Sequence, residues 1–151
     1  MPPRFRIRMV TRYGTLYEGQ AEYLRVPVAD GTIGILPHHA PLVTVLHYGR
    51  IDLRRPGEKE LDYYSCTGGV LHVSPDGAVE LYVDAGEKAE SIDIHRAREA
   101  ERRARERLQR AGTARDIDLD RAVAALQRAL AREKVYSTVH QHVPRRGGPG
   151  G

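Results

Sequence analysis

Residues 79–104, VELYVDAGEKAESIDIHRAREAERRA, hold the change of pattern that decides the fold. Up to Val83 every second residue is apolar (Val79, Leu81, Val83), the period of a strand with one buried face. Past Gly86 the period becomes about 3.6, with Ala97, Ala100 and Ala104 spaced three then four apart on one side of a helix. The chain therefore passes from sheet to helix just after Gly86. Because the inward stripe of that helix is alanine, it buries little apolar surface and holds its neighbour weakly.

Towards the N-terminus the strand pattern recurs, in Phe5, Ile7 and Met9, in Leu24, Val26 and Val28, and in Leu71 and Val73. Gly14, Asp30–Gly31, Pro56–Gly57, Gly68–Gly69 and Ser74-Pro75-Asp76-Gly77 read as turns between roughly eight to ten strands. So many short strands predict a small β-sandwich or barrel.

Towards the C-terminus, Gly and Pro are absent until Gly112. One helix is expected from about Ile92 to Ala111, a turn at Gly112-Thr113, and a second helix from about Leu119 to Val135, forming an antiparallel hairpin. Both helices follow one plan. Ile92-Asp93-Ile94-His95-Arg96-Ala97 is echoed by Ile117-Asp118-Leu119-Asp120-Arg121-Ala122, and Ala100, Arg103 and Ala104 by Ala125, Arg128 and Ala129. The domains are thus a sandwich over residues 1–88 and a hairpin over 89–136, with a tail over 137–151 expected to be disordered.

The net charge of +4 is unevenly distributed. Residues 1–90 carry ten Lys/Arg against twelve Asp/Glu, whereas residues 91–151 carry fourteen against eight. A single cysteine, Cys66, allows no internal disulfide and suits a reducing compartment. The N-terminus does not have the pattern of a signal peptide, and no apolar run approaches the ~20 residues of a membrane span. Membrane association is therefore expected only through partners.

No catalytic motif is visible. Gly68–Gly69 lacks the Lys-Ser/Thr of a phosphate loop, and no Gly-x-Ser-x-Gly elbow occurs. His38 and His39 point to opposite sides of an extended chain, with no Cys or acidic cluster nearby to complete a metal site. Flanked by prolines, they suit an exposed, stiff loop that contacts a partner. Arg96 and Arg103 are two turns apart, about 10 Å along a helix, with Asp93 one turn before Arg96. That arrangement fits either the phosphates of a polyanion or ordinary capping and ion pairing within the hairpin. Spacing alone favours the second, since the other helix repeats it.

The stretches DGTIGILPHHAPLVTVLHYGRI and CTGGVLHV and the helical IDIHRA, in that order, resemble the epsilon subunit of the rotary proton-translocating ATP synthase, bacterial type. The likeness covers about residues 4 to 136. It implies a flattened β-sandwich of about ten strands followed by a two-helix hairpin, in agreement with the pattern above. It also implies a non-catalytic central-stalk subunit that couples c-ring rotation to the catalytic head. Its place would be peripheral, on the cytoplasmic face of the bacterial plasma membrane.

The implied partners are the gamma subunit and the polar loops of the c-ring, met through Gly31, Thr32, His38, His39, Ala40 and Pro41. Thr32 stands where an acidic residue is common in the family, and His38 where glycine is usual. The resemblance further implies that the hairpin regulates hydrolysis, folded down to permit it or extended along gamma to meet acidic segments of the catalytic beta subunits. No cofactor is required, but some bacterial members hold regulatory ATP through an Ile/Leu-Asp-x-x-Arg-Ala motif, an upstream glutamate and a later arginine. Here the motif is Ile92, Asp93, Arg96 and Ala97, with Glu87 and Arg103. The second copy has Gly112 in place of the glutamate. The rival reading is a nucleic-acid-binding module built on the basic hairpin. Against it stand the interspersed Glu99, Glu101 and Glu106 and the lack of an aromatic stacking motif.

Overall fold

The computed structural model describes residues 2–110 and 116–141. Seven strands, β1 (Phe5–Thr11), β2 (Gly14–Ala21), β3 (Tyr23–Val28), β4 (Gly31–Ile35), β5 (Leu42–Arg54), β6 (Asp62–Val73) and β7 (Val79–Val83), precede two helices, α1 (Ile94–Arg110) and α2 (Asp116–Gln141). A short 3₁₀ turn, Ala89–Ser91, leads into α1.

The strands follow the order β2-β1-β7-β6-β5-β3-β4, and all neighbours are antiparallel except β1 and β7. The long β5 and β6 turn this sheet into two layers. In the first half of β5, Leu46 faces inward; in the second half, Ile51 and Leu53 do, so the inward parity changes along the strand. Its partner changes with it, from Tyr64 and Cys66 to Leu71 and Val73. Both halves therefore feed one core, shared with Phe5, Ile7, Met9, Leu24, Val26, Ile35 and Leu81.

Here the expected count of about ten strands is corrected to seven. Gly68–Gly69 is not a turn but lies inside β6, at the change of parity. Gly69 has φ 140°, and a Cβ there would lie 2.0 Å from the Tyr82 carbonyl oxygen. Close strand approach, not chain reversal, is what demands glycine there.

α1 begins where the sequence pattern places it: Asp93 Oδ1 accepts a hydrogen bond from the Arg96 amide at 3.1 Å, an N-cap. Its buried residues are Ile94, Ala97 and Ala104, and Ala122 and Ala129 of α2 are likewise essentially buried. The two helices do not start alike, however. Asp93 precedes α1, whereas Asp118 lies inside α2, which begins at Asp116. α2 also continues to Gln141, so the first residues of the expected disordered tail are helical. The expected Gly112-Thr113 turn and the tail from 142 onward lie outside the described residues.

Candidate functional site

Two regions carry the residues singled out from the sequence, and a third was not foreseen. The first is the loop end of the sandwich. Gly31 and Thr32 open β4 and are exposed, and Arg25 Nε donates to Thr32 Oγ1 at 3.2 Å. His38, Ala40 and Pro41 are exposed, and His39 is half-buried, its Nδ1–H donating to the Ala40 carbonyl at 2.7 Å. His38 has φ 66°. This left-handed backbone explains why glycine suits the position, and histidine is among the residues that tolerate it. The described residues hold no group of three or more His, Cys, Asp or Glu fit to bind a metal.

The second region is the junction between sandwich and hairpin. Glu87 Oε1 lies 2.5 Å from Arg132 Nε of α2. The contact is a charge pair rather than an aligned hydrogen bond, since Oε1 is buried and accepts none. Ile92 is buried with Ala89 and Val135, against Tyr63, Tyr136 and Val139. Asp93 caps α1 and its Oδ2 is 3.7 Å from Arg96 Nε, in an exposed pair. Ala97 is fully buried in the helix seam. Arg103 is exposed and makes no ion pair among the described residues.

The six motif residues thus divide. Ile92 and Ala97 pack, Glu87 holds α2, and Asp93, Arg96 and Arg103 face outward. A cleft of about 870 Å³, lined by none of these six, opens between the β1–β2 turn, with Arg12 and Tyr13, and α2, with Arg128 and Arg132.

Sequence reading missed the polar clasp that completes this junction. Arg50 of β5 holds the buried Asp52 through two hydrogen bonds of 2.6 and 3.1 Å, and its other arm donates to Thr138 of α2 at 3.0 Å. Arg50 also lies over the Tyr63 ring, 4.9 Å from its centre. Ser65 Oγ accepts from the Glu87 amide, and the Ser65 amide donates to the Glu87 carbonyl, both at 2.9 Å. Polar residues at Arg50, Asp52 and Ser65, inside otherwise apolar strands, were the available signal.

The third region lies on the other half of the same strand pair. Where α2 covers β5 and β6, their outer face is polar; where no described residue covers them, it carries an apolar row beside His47 and His72. Val43 and Val45 are 69% and 72% exposed, with Val70 and Tyr82 at 38% and 44%. Val45, Val70 and Tyr82 lie side by side in register across β5, β6 and β7. An apolar row open to water is the mark of an interaction surface. Its trace in the sequence is LVTVL, apolar on both parities.

Cys66 offers no chemistry here: it is buried, and burial pushes its thiol up to about 11.

Comparisons with known proteins agree with this architecture. Residues 4–89 match the family model of the ATP synthase delta/epsilon chain beta-sandwich domain, and residues 90–136 that of its long alpha-helix domain. The ATP synthase epsilon chain of Halalkalibacterium halodurans is 38% identical over 130 residues, 86% of this chain and 95% of that one. That of Bacillus velezensis is 41% identical over 127 residues, 84% and 92% of the two chains. Among solved structures, a chain of the Euglena gracilis mitochondrial ATP synthase superposes with a TM-score of 0.74 at 19% identity, covering 93% of this chain and 84% of that one. Both the sandwich and the hairpin thus find their counterparts, and the chain belongs to the ATP synthase delta/epsilon family.

Proposed function

We propose that this chain is a non-catalytic central-stalk subunit of a proton-translocating ATP synthase. Its sandwich docks on the gamma subunit and the c-ring polar loops, and its hairpin regulates ATP hydrolysis. The observation that carries the reading is the two-sided strand pair of β5 and β6, whose apolar outer row awaits a partner while its polar half receives α2. The row of Val45, Val70 and Tyr82, with Val43 beside it on β5, fits the gamma subunit, and the loop of His38 and His39 fits the polar ring loops. No described helix is long and apolar enough to cross a membrane, so attachment to the cytoplasmic face runs through these partners. The test is co-purification with a gamma subunit. Wild type is retained and Val45→Asp is lost; retention of V45D at wild-type affinity would refute the assignment of that row.

The hairpin meets acidic segments of the catalytic beta subunits when extended, a role suited to the basic C-terminal third. ATP, in turn, stabilises the folded-down state through Glu87, Asp93, Arg96 and Arg103. The outward, exposed Asp93, Arg96 and Arg103 support this. Ligand at a hundredfold excess over Kd would add about 2.7 kcal/mol to the closed form. Calorimetry should show millimolar ATP binding, weakened in Arg103→Ala; no heat at that concentration ends the nucleotide reading and leaves the rotor role intact. The nucleic-acid alternative gains nothing, because Arg102, Arg105 and Arg132 already face carboxylates.

A further inference from the structure

Pro27 opens a basic cavity beside the Arg50 clasp. The ladder between β3 and β5 pairs Tyr23 with Arg54, Leu24 with Leu53 and Arg25 with Asp52, and there it stops. Proline has no N–H to continue it, and its ring lies against Gly49, where a Cβ would come within 2.9 Å of the Pro27 Cβ. From that point β3 pairs with β4 alone, and the space between β3, β5 and α2 is a cavity of about 280 Å³.

Charge does not balance in this cavity. Its walls carry three cations, Arg25 of β3, Arg50 of β5 and Lys134 of α2, and one carboxylate, Asp52. Arg25 stands directly across the ladder from Asp52, the position from which an ion pair would form. Arg50 has taken both oxygens of that carboxylate, at 2.6 and 3.1 Å. Arg25 turns instead to a neutral group, the Thr32 hydroxyl, at 3.2 Å. Neither Arg25 nor Lys134 has an ion pair among the described residues. The surplus is therefore positive, and it is split between the sandwich and the hairpin.

We propose that this cavity binds a phosphate-type dianion, which ties Lys134 of α2 to Arg25 and Thr32 of the sandwich and so holds the hairpin down. The side chains suit the group. Arg25 spends only its Nε–H on Thr32, the Thr32 hydroxyl accepts that bond and has its own proton to donate, and Lys134 brings a flexible ammonium. Arg50, fixed by Asp52 and Thr138, adds its field without moving. The cavity is smaller than the roughly 300–1,000 Å³ that drug-sized ligands occupy, so it takes the phosphate group and leaves the rest of any larger molecule outside. No residue of the nucleotide motif lines it, so the site is independent of that reading; the tie alone rests on the movable hairpin.

The test titrates the full chain by amide NMR at constant pH and ionic strength, with sodium phosphate replacing sodium chloride. The expected result is saturable shifts centred on Arg25, Thr32, Gly49 and Lys134, with slower exchange of the α2 amides from Ala131 to Val139. Arg25→Gln and Lys134→Gln, both at exposed positions, should each weaken binding at least about fivefold. Thr32→Glu should abolish it by putting a carboxylate where the anion sits. Arg103→Ala and Arg128→Gln lie outside the cavity and should leave phosphate binding unchanged. A second arm with ATP separates the sources: the same shifts at lower concentration assign the site to a terminal phosphate, and their absence assigns it to the free anion. Diffuse shifts that do not saturate, or wild-type affinity in R25Q and K134Q, overturn the site. Saturable binding with unchanged α2 exchange overturns the tie. If α2 exchanges only when the sandwich unfolds, with or without phosphate, the movable hairpin falls while the site stands.

Discussion

The sandwich and the hairpin are built from different materials. The sandwich core is Ile, Leu, Val, Met, Phe and Tyr at near-zero exposure, drawn from all seven strands into one cluster. The buried residues of the hairpin are mostly alanine, Ala97, Ala104, Ala122, Ala129 and Ala131, with Ile94, and it docks on the sandwich through a small patch around Ile92 and Val135 with two polar clasps. Fully burying a leucine contributes about 1.5–3 kcal/mol, and an alanine a fraction of that. A chain that needed only a rigid hairpin would not line it with methyl groups. The difference gives one region that unfolds only as a whole and another that can leave it.

The sharpest way to strain that contrast is to damage each region in turn. Leu71→Ala, in the sandwich core, should lower global stability by about 2–5 kcal/mol, read as a shifted denaturation midpoint for all probes together. Cys66 supplies an independent reading, because its buried thiol should react with a thiol reagent only through opening of the sandwich. Labelling should quicken in L71A.

Next in size is Ala97→Leu. Forcing a large side chain into the seam should cost the closed hairpin about 1–3 kcal/mol. Its amides should exchange faster while Cys66 labelling stays at the wild-type rate. A global shift instead would mean that the two regions are one cooperative unit.

A smaller effect is expected from Asp93→Ala, which removes the cap of α1 and should loosen the hairpin by about 1 kcal/mol, again by amide exchange. Glu87→Gln, which keeps the shape but not the charge opposite Arg132, should release α2 more in low salt than in high salt.

What the sequence disclosed follows the range of each interaction. The change from period two to period 3.6 after Gly86, the Asp93 cap and the alanine stripe are local, and all three hold in the structure. The strand count failed because a glycine pair signals unusual backbone without saying whether the chain turns or merely passes close to a neighbour. Gly68–Gly69 does the second, against Tyr82. The clasps were illegible for a different reason: Arg50 and Thr138 are 88 residues apart, and nothing in either neighbourhood names the other. The loop residues from Gly31 to Pro41 were legible as a motif, and the left-handed His38 supplies the physical reason for a glycine at that point.

Native-state hydrogen exchange of the full chain in rising denaturant measures the separation of the two regions most directly. Amides of α1 and of α2 up to Val135 should open several kcal/mol more easily than those of β5 to β7, with a shallower denaturant dependence, before the sandwich yields. Equal opening free energies and equal slopes for both sets would contradict a detachable hairpin.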